Sequence, residues 1–485
     1  MFMLGIYGKR PSRQTVALLR DTGACGVLLL ARNIESPAQI RSLTQGIMDR
    51  LGRPLLFAID HEGGWVLRFQ TGLTAFPGNA ALGRTRDAKL AYSTGRQMAL
   101  ELAPLGIGMN LAPVLDVGTG RYNPGIGIRS FGDDPALVGR LGSAFLRGLQ
   151  DHGVAACAKH FPGKGAATVD AHVSLPTIRL PRAEFMRTHL APFSAAVRSG
   201  VAAIMTSHVR CPALDSKPVS FSRRITHDLI RRKLGFRGAI ISDDLCMGAI
   251  TTRGPIPLAA WESFQAGHDI IIIAHEPSAQ RESVELLRAR HDGSALPAAG
   301  RIERLLSFPR SRRRADPKAG ARLARETARQ AVAVARRGVL SLPLKADGAG
   351  TLVLFPDFAQ VRDRFTFEGG PRGPEARLRL ALRSCPGARW RRTPITASDI
   401  QGLRSAIGAA RRVVCFCFEA MRFPGQKAVL KLINQTAAPR SVVCLIRSSF
   451  DLGLLDRRVT VVDAYGYRDC QLEAALHLIF KEECP

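Results

Sequence analysis

The chain has 485 residues, longer than one hydrophobic core of ordinary size, so it reads as two domains or as one large domain with an appendage. Hydrophobic residues make up 46% and charged residues 22%, which excludes a disordered or fibrous protein. The formal charge is +29, and of the 69 basic residues 11 are lysines, leaving 58 arginines spread along the whole chain; such a surface attracts anions in a salt-dependent way without marking one binding patch.

The chain opens Met1-Phe2-Met3-Leu4-Gly5-Ile6, with no charged start followed by a long apolar stretch and a cleavage site. No later run approaches the roughly 20 apolar residues of a membrane helix. The expectation is a soluble, cytoplasmic protein with no membrane partner. Short apolar runs then alternate with helical stretches: Gly26 to Leu30, Leu55 to Ile59, Ile107 to Pro113, Val154 to Ala158, Ala202 to Met205, Ala239 to Ile241 and Ile270 to Ile273. Their spacing leaves room for a helix and loops between successive strands, which predicts a parallel α/β barrel or a doubly wound sheet.

From Ser294 to Arg322 the composition shifts to Pro, Gly and Arg, with the run Arg310, Arg312, Arg313 and Arg314. The domain boundary is placed there: a catalytic domain over 1–310, a basic linker over 311–325 and a smaller α/β domain over 326–485. In that second part a helix is expected from about Ala321 to Arg336. Strands are expected at Leu352 to Phe355, Val413 to Phe418, Val442 to Ile446 and Val459 to Val462. Ten cysteines show neither a disulfide framework nor a zinc spacing. Cys415 and Cys417 are read as buried thiols on opposite faces of a strand rather than as a metal pair. No metal or organic cofactor is implied.

Polar clusters directly follow several of the apolar runs, which in a βα barrel is the catalytic face. They are Asp60-His61-Glu62-Gly63-Gly64, Lys159-His160-Phe161-Pro162-Gly163, Thr206-Ser207-His208 and Ser242-Asp243-Asp244. Singly, each is most simply a capping Asp, a salt-bridged Lys or a packed His. Four strand ends addressing one barrel mouth favour a site. Downstream, Asp170-Ala171-His172 ends a Gly-rich loop. An Asp two residues before a His can orient the imidazole and raise its basicity, leaving a proton carrier that works near neutral pH.

These blocks, together with Phe2-Met3-Leu4-Gly5, Ala31-Arg32-Asn33-Ile34 and Arg129-Ser130-Phe131-Gly132, occur in the order found in the bacterial β-N-acetylglucosaminidases of glycoside hydrolase family 3, which the chain resembles over roughly residues 1 to 306. The resemblance implies a (β/α)8 TIM-type barrel followed by a smaller α/β sandwich-like C-terminal domain. It also implies a retaining exo-hydrolase of terminal β-linked N-acetylglucosamine, acting on cell-wall muropeptide fragments. By the same resemblance Asp243 is the nucleophile and His172, held by Asp170, the general acid/base, while Asp60, Arg68, Arg129, Lys159 and His160 bind sugar hydroxyls and His208 plays a supporting part. Asp244 is read as structural. The family usually has Gln at His61, Arg at Trp65, Asp at Ile128 and His at Lys164.

Other readings stay open from the sequence. A phosphorylase or a β-glucosidase of the same family would use the same residues. A nucleic-acid-binding protein has only the charge in its favour, since no recognition motif or interleaving of aromatic with basic residues is present, so no specific nucleic-acid partner is expected. A barrel that has lost activity is opposed by the retained Asp243, Asp170 and His172.

Overall fold

The computed structural model describes residues 1–69, 71–120, 122–291, 298–309, 315–345, 349–362, 387–395 and 400–480. The chain divides into two compact units, one formed by Met1–Glu62, Val66–Thr74 and Arg86–Gly320, the other by Gly63–Trp65, Ala75–Thr85 and Ala321–Pro485. The arginine run at 310–314, at the junction of the expected catalytic domain and basic linker, lies outside the described residues.

In the first unit eight strands close a parallel barrel: β1 (Phe2–Gly5), β2 (Gly26–Leu29), β3 (Leu56–Ile59), β4 (Ile107–Asn110), β5 (Ala155–Phe161), β6 (Ala203–Thr206), β7 (Ala239–Asp244) and β8 (Ile270–Ile273). Each pairs with its neighbours in the chain, and β8 closes on β1 through Phe2↔Ile271 and Leu4↔Ile273. The strands are apolar on both faces because helices cover one face and the barrel interior the other. An interior cluster alternates through Met3, Leu28, Ala155, Cys157, Ile270 and Ile272. Seven strands coincide with the apolar runs read from the sequence. The eighth, β1, is the four-residue block quoted above only as a motif.

Helices start where side chains can satisfy free backbone amides. Asp87 accepts from the amides of Lys89 and Leu90 at 2.7 and 3.4 Å, opening the helix Ala88–Leu102, and Asp134 accepts from Ala136 at 2.9 Å ahead of Pro135–Gln150. These two helices cross closely through glycines. A Cβ on Gly95 would lie 2.2 Å from the carbonyl oxygen of Phe145, and one on Gly148 would lie 2.1 Å from that of Tyr92.

The second unit holds a six-stranded sheet made of β9 (Ala333–Arg336), β10 (Thr351–Pro356), β11 (Arg389–Thr393), β12 (Arg412–Cys417), β13 (Ser441–Leu445) and β14 (Thr460–Asp463), in the order β9-β14-β13-β12-β10-β11. Only the pairing of β9 with β14 is antiparallel. Alternate residues feed two apolar clusters. Val414, Phe416 and Val442 share one with Leu472 and Ile479 of the helix Asp469–Phe480. Val413, Cys415 and Val443 share the other with Leu403 and Ile433 of the helices Gln401–Ala409 and Pro424–Thr436. This is a mixed α/β sandwich.

Two local expectations are corrected. The helix expected over 321–336 runs from Pro317 to Ala331, and Ala333–Arg336 is strand, because Ala333 and Val334 pair with Asp463 and Val462. Edge pairing there overrides the helical preference of alanine. Cys415 and Cys417 are buried as expected but lie on the same face, both in the second cluster, since residues two apart on a strand point the same way. Among the described residues, no group of His, Cys, Asp and Glu is placed to hold a metal ion, and no helix is long and apolar enough to cross a membrane.

The glycine crossing gives a direct stability test. Gly95→Ala and Gly148→Ala are each expected to cost about 1–3 kcal/mol by forcing the helices apart. Thermal melts followed by circular dichroism read the loss; unchanged melting temperatures would contradict the close crossing.

Candidate active site

The C-terminal ends of β3, β5, β6 and β7 carry Asp60, Lys159 with His160, His208 and Asp243, so the barrel places at one mouth what the sequence scatters over 184 positions. Lys159 is the hub. Its ammonium, 2% exposed, lies 2.6 Å from Asp60 Oδ1 and 2.7 Å from Glu62 Oε1. Arg68 Nη2 donates to Asp60 Oδ2 at 3.0 Å. Arg129 grips Glu62 with two bonds, Nε to Oε2 at 2.9 Å and Nη2 to Oε1 at 2.8 Å, and donates Nη1 to the carbonyl of Gly125 at 2.7 Å.

Burial alone would push both carboxyls up. At Asp60 the charges of Lys159 and Arg68 outweigh burial and hold the group below its ordinary range; at Glu62, Arg129 and Lys159 do the same. The same pairing raises Lys159 against the effect of its own burial. The network therefore consists of ions, two carboxylates and three cations. Asn110, at the end of β4, fixes the intervening backbone by accepting from the His61 amide at 3.0 Å and donating to the His61 carbonyl at 2.9 Å.

His160 bridges this network to Asp116. Its Nδ1 lies 2.7 Å from Asp116 Oδ2, and Arg129 Nη2 approaches its Nε2 at 3.4 Å. An arginine can only donate, so Nε2 is the acceptor and Nδ1 carries the proton. Burial, then Lys164 and Arg129, push this imidazole well below its usual range, so it is neutral. Burial also drives the Asp116 carboxyl up to about 6, although the nearby Lys164 opposes it.

Asp170 and His172 meet as the sequence suggested. A single oxygen, Asp170 Oδ1, accepts from the His172 amide at 3.0 Å and from Nδ1 at 2.8 Å. Burial would raise Asp170, but the bond to His172 and that residue's charge hold it below the usual range. With Nδ1 engaged, Nε2 remains for proton transfer, on a side chain 66% exposed. The loop is tied to the chain beyond β7: the Ala249 amide donates to the Ala171 carbonyl at 2.9 Å, and Ala171 packs with Met247 and Ala249. Gly248 is the close approach that permits this, since a Cβ there would lie 2.4 Å from the His172 carbonyl oxygen and 2.8 Å from that of Val173.

Asp243 lies at the end of β7 and accepts at Oδ1 from the Asp244 amide at 2.9 Å. Burial opposes its ionisation, yet Lys164, His208 and His172 together hold it below the ordinary carboxyl range. Asp244 is held by the backbone, its Oδ1 accepting the amides of Cys246 and Ala274 at 3.1 and 2.9 Å. His208 is fully buried between Ser220 Oγ at 2.5 Å and the Asp244 carbonyl at 2.9 Å. It braces the backbone beside Asp243.

Three members of this arrangement were not singled out from the sequence as site residues. Glu62 stood inside the quoted Asp60-His61-Glu62 block. Asp116 follows the run ending at Pro113, a strand end that carried no other polar cluster. Lys164 was noted only as a departure from the family. Of the other departures, Trp65 belongs to the second unit, where its ring lies 5.9 Å from Phe418 and 4.2 Å from the Arg447 guanidinium, and Ile128 is buried.

A barrel whose C-terminal mouth gathers carboxylates, cations and an Asp-held histidine is the architecture of a glycoside-processing enzyme. Residues 2–298 match the glycosyl hydrolase family 3 N-terminal domain, and the chain belongs to glycosyl hydrolase family 3. It is 37% identical over 313 residues to a β-hexosaminidase of Thiobacillus denitrificans, covering 63% of this chain and 86% of that protein. The structure of a family 3 β-N-acetylglucosaminidase from Paenibacillus sp. str. FPU-7 superposes with a TM-score of 0.90 at 28% identity, over 100% of this chain and 95% of that one. NagZ of Neisseria gonorrhoeae, solved with N-trifluoroacetyl-D-glucosamine, gives a TM-score of 0.60 at 34% identity, over 68% of this chain and 97% of the other.

Two substitutions test the geometry. Glu62→Ala leaves Lys159 and Arg129 each short of a partner inside the protein and is expected to cost about 3–5 kcal/mol in urea unfolding; a loss under about 1 kcal/mol would mean that the network is not buried. Gly248→Ala should displace the His172 loop and lower glycoside turnover by about 10²-fold with the circular dichroism spectrum unchanged. Full activity in that variant would show that the loop does not rest there during catalysis.

Proposed function

We propose that the chain is a retaining exo-β-N-acetylglucosaminidase that removes terminal, non-reducing β-linked N-acetylglucosamine through a covalent glycosyl ester on Asp243. The observation that carries this reading is the presence at one barrel mouth of a half-buried, ionised Asp243 at a strand end and an exposed imidazole whose Nδ1 is held by Asp170.

In the first displacement an Asp243 oxygen attacks C1 while His172 protonates the departing glycosidic oxygen. In the second, His172 takes a proton from water, and the water oxygen replaces Asp243 on C1. Two inversions restore the β configuration. His172 stands where most retaining glycosidases use a second carboxyl group, and the Asp170 bond supplies the orientation such a role needs. Asp60, Arg68, Arg129, Lys159 and His160 would orient the sugar: an ionised carboxylate accepts from hydroxyls, and the cations around it fix its direction. His208 supports Asp243 from behind.

The relatives named β-hexosaminidase and the neighbour solved with an N-acylglucosamine analogue support the amino-sugar preference. The substrate is proposed to be a muropeptide fragment met in the cytoplasm during peptidoglycan recycling, and the +29 charge of the chain suits the acidic peptide of such a fragment. No cofactor enters this mechanism.

Release of 4-nitrophenol from its β-N-acetylglucosaminide, compared with the β-glucoside, tests the reading. Wild type should prefer the amino sugar, Asp243→Ala should fall to background, and His172→Ala should lose about 10²–10⁴-fold in kcat/KM. A fully active Asp243→Ala would remove the proposed nucleophile. Preference for the glucoside would remove the substrate assignment.

A further inference from the structure

Asp116 is fully buried and bonded at three points. Its Oδ2 accepts from His160 Nδ1 at 2.7 Å, its Oδ1 accepts from the Lys164 amide at 2.6 Å, and its carbonyl accepts from Ser130 Oγ at 2.6 Å. Each partner adjoins a different part of the barrel mouth. His160 follows Lys159 on β5, Ser130 follows Arg129, and Lys164 lies in the turn from which the chain runs on to Asp170 and His172. That turn is fixed independently. The Lys164 carbonyl accepts from Asn123 Nδ2 at 2.9 Å and from the Ala167 amide at 3.0 Å, and a Cβ on Gly165 would fall 1.7 Å from the Val117 carbonyl oxygen.

The two oxygens of this carboxyl face donors of different kinds. A backbone amide can only donate, whereas a neutral imidazole donates from one nitrogen and accepts at the other. Burial, then the charges of Lys164 and Arg129, keep the His160 ring neutral. The ring stands between an acceptor, Asp116 Oδ2 at 2.7 Å from Nδ1, and a donor, Arg129 Nη2 at 3.4 Å from Nε2. Both neighbours require the same tautomer, with the proton on Nδ1 and the lone pair on Nε2. The Arg129 contact is long, and that guanidinium already donates twice to Glu62 and once to the Gly125 carbonyl. A closer donor, such as a sugar hydroxyl, would therefore find an acceptor at Nε2.

We propose that Asp116 is a positioning residue that locks the tautomer of His160, so that the barrel mouth offers Nε2 as an acceptor and selects a sugar hydroxyl that donates to it. The inference rests on the sugar-binding role proposed for His160 above. Asp116 acts through the ring and not on the substrate. Its carboxylate suits the place because both oxygens accept. Asparagine fills nearly the same volume but has one accepting and one donating end. The Lys164 amide demands the accepting end, so the NH2 group turns to His160, Nδ1 has to accept, and the ring proton moves to Nε2. Nε2–H then faces the Arg129 guanidinium, donor against donor, and no longer receives a hydrogen bond from a hydroxyl.

The test reads the ring and the reaction separately, on the full chain at about pH 7. With nitrogen-15 histidine, proton–nitrogen correlation spectra of wild type should show a neutral ring protonated on Nδ1 that is missing from His160→Gln; in Asp116→Asn the same ring should carry its proton on Nε2. The wild-type spectrum decides the tautomer even if Asp116→Asn folds poorly: a His160 ring that is charged, or protonated on Nε2, would overturn the inference. Turnover is measured on 4-nitrophenyl β-N-acetylglucosaminide and on its 3-, 4- and 6-fluoro analogues, in which fluorine replaces a hydroxyl and cannot donate. Asp116→Asn should lower kcat/KM on the parent glycoside about 10–10²-fold, and the penalty for fluorine at one position should be about tenfold smaller than in wild type. The electron withdrawal of fluorine is common to both enzymes and cancels in that ratio. Equal losses on all four substrates would leave Asp116 a part of the fold alone and overturn the selection. A wild type with the expected tautomer but no turnover of the parent glycoside would instead overturn the proposed function, and the hydroxyl selection with it.

Discussion

The barrel mouth is organised around one buried ammonium. Lys159, at the end of β5, holds both Asp60 and Glu62, and those carboxylates in turn hold Arg68 and Arg129. Such an arrangement is not the most stable filling for this volume, since apolar side chains of similar size would avoid the cost of desolvating five charges. What it provides is a set of ionised groups whose positions are fixed before substrate arrives. A polyol is recognised through directional hydrogen bonds, and preorganised ions make those bonds without reorganisation on binding.

The same economy of position governs the groups proposed to react. Asp243 is attached to a strand and backed by His208 through the Asp244 carbonyl, so it has little freedom. The Asp170–His172 pair sits on a loop and is more exposed, as suits a group that must meet a leaving oxygen and then water. Gly248 lets the loop rest against the segment following β7, which brings the proton carrier to the strand end that bears the carboxylate. The proposed nucleophile on its strand and the proposed proton carrier on its loop are thus held by adjoining pieces of chain.

Most of the barrel was legible because its strands are uniformly apolar and regularly spaced; Ile270–Ile273 can hardly be anything else. β1 was harder, being four residues at the chain start with no preceding rhythm. β11 carries Arg389, Arg391 and Arg392, so its composition hid an edge strand whose exposed face is polar. At the site, residues following apolar runs were found readily, and the Asp170–His172 contact could be read from a spacing of two. Glu62 and Asp116 could not be ranked that way, because their importance lies in partners 67 and 44 positions away. Lys164 was visible as an oddity, but only the folded chain shows its amide bonded to Asp116, 48 positions away.

The central claim is a double displacement at Asp243, and stereochemistry tests it most directly. Proton NMR of the first-formed N-acetylglucosamine, recorded on 4-nitrophenyl β-N-acetylglucosaminide before mutarotation, should show the β anomer. First appearance of the α anomer would mean a single displacement by water, and Asp243 would then be a base rather than a nucleophile.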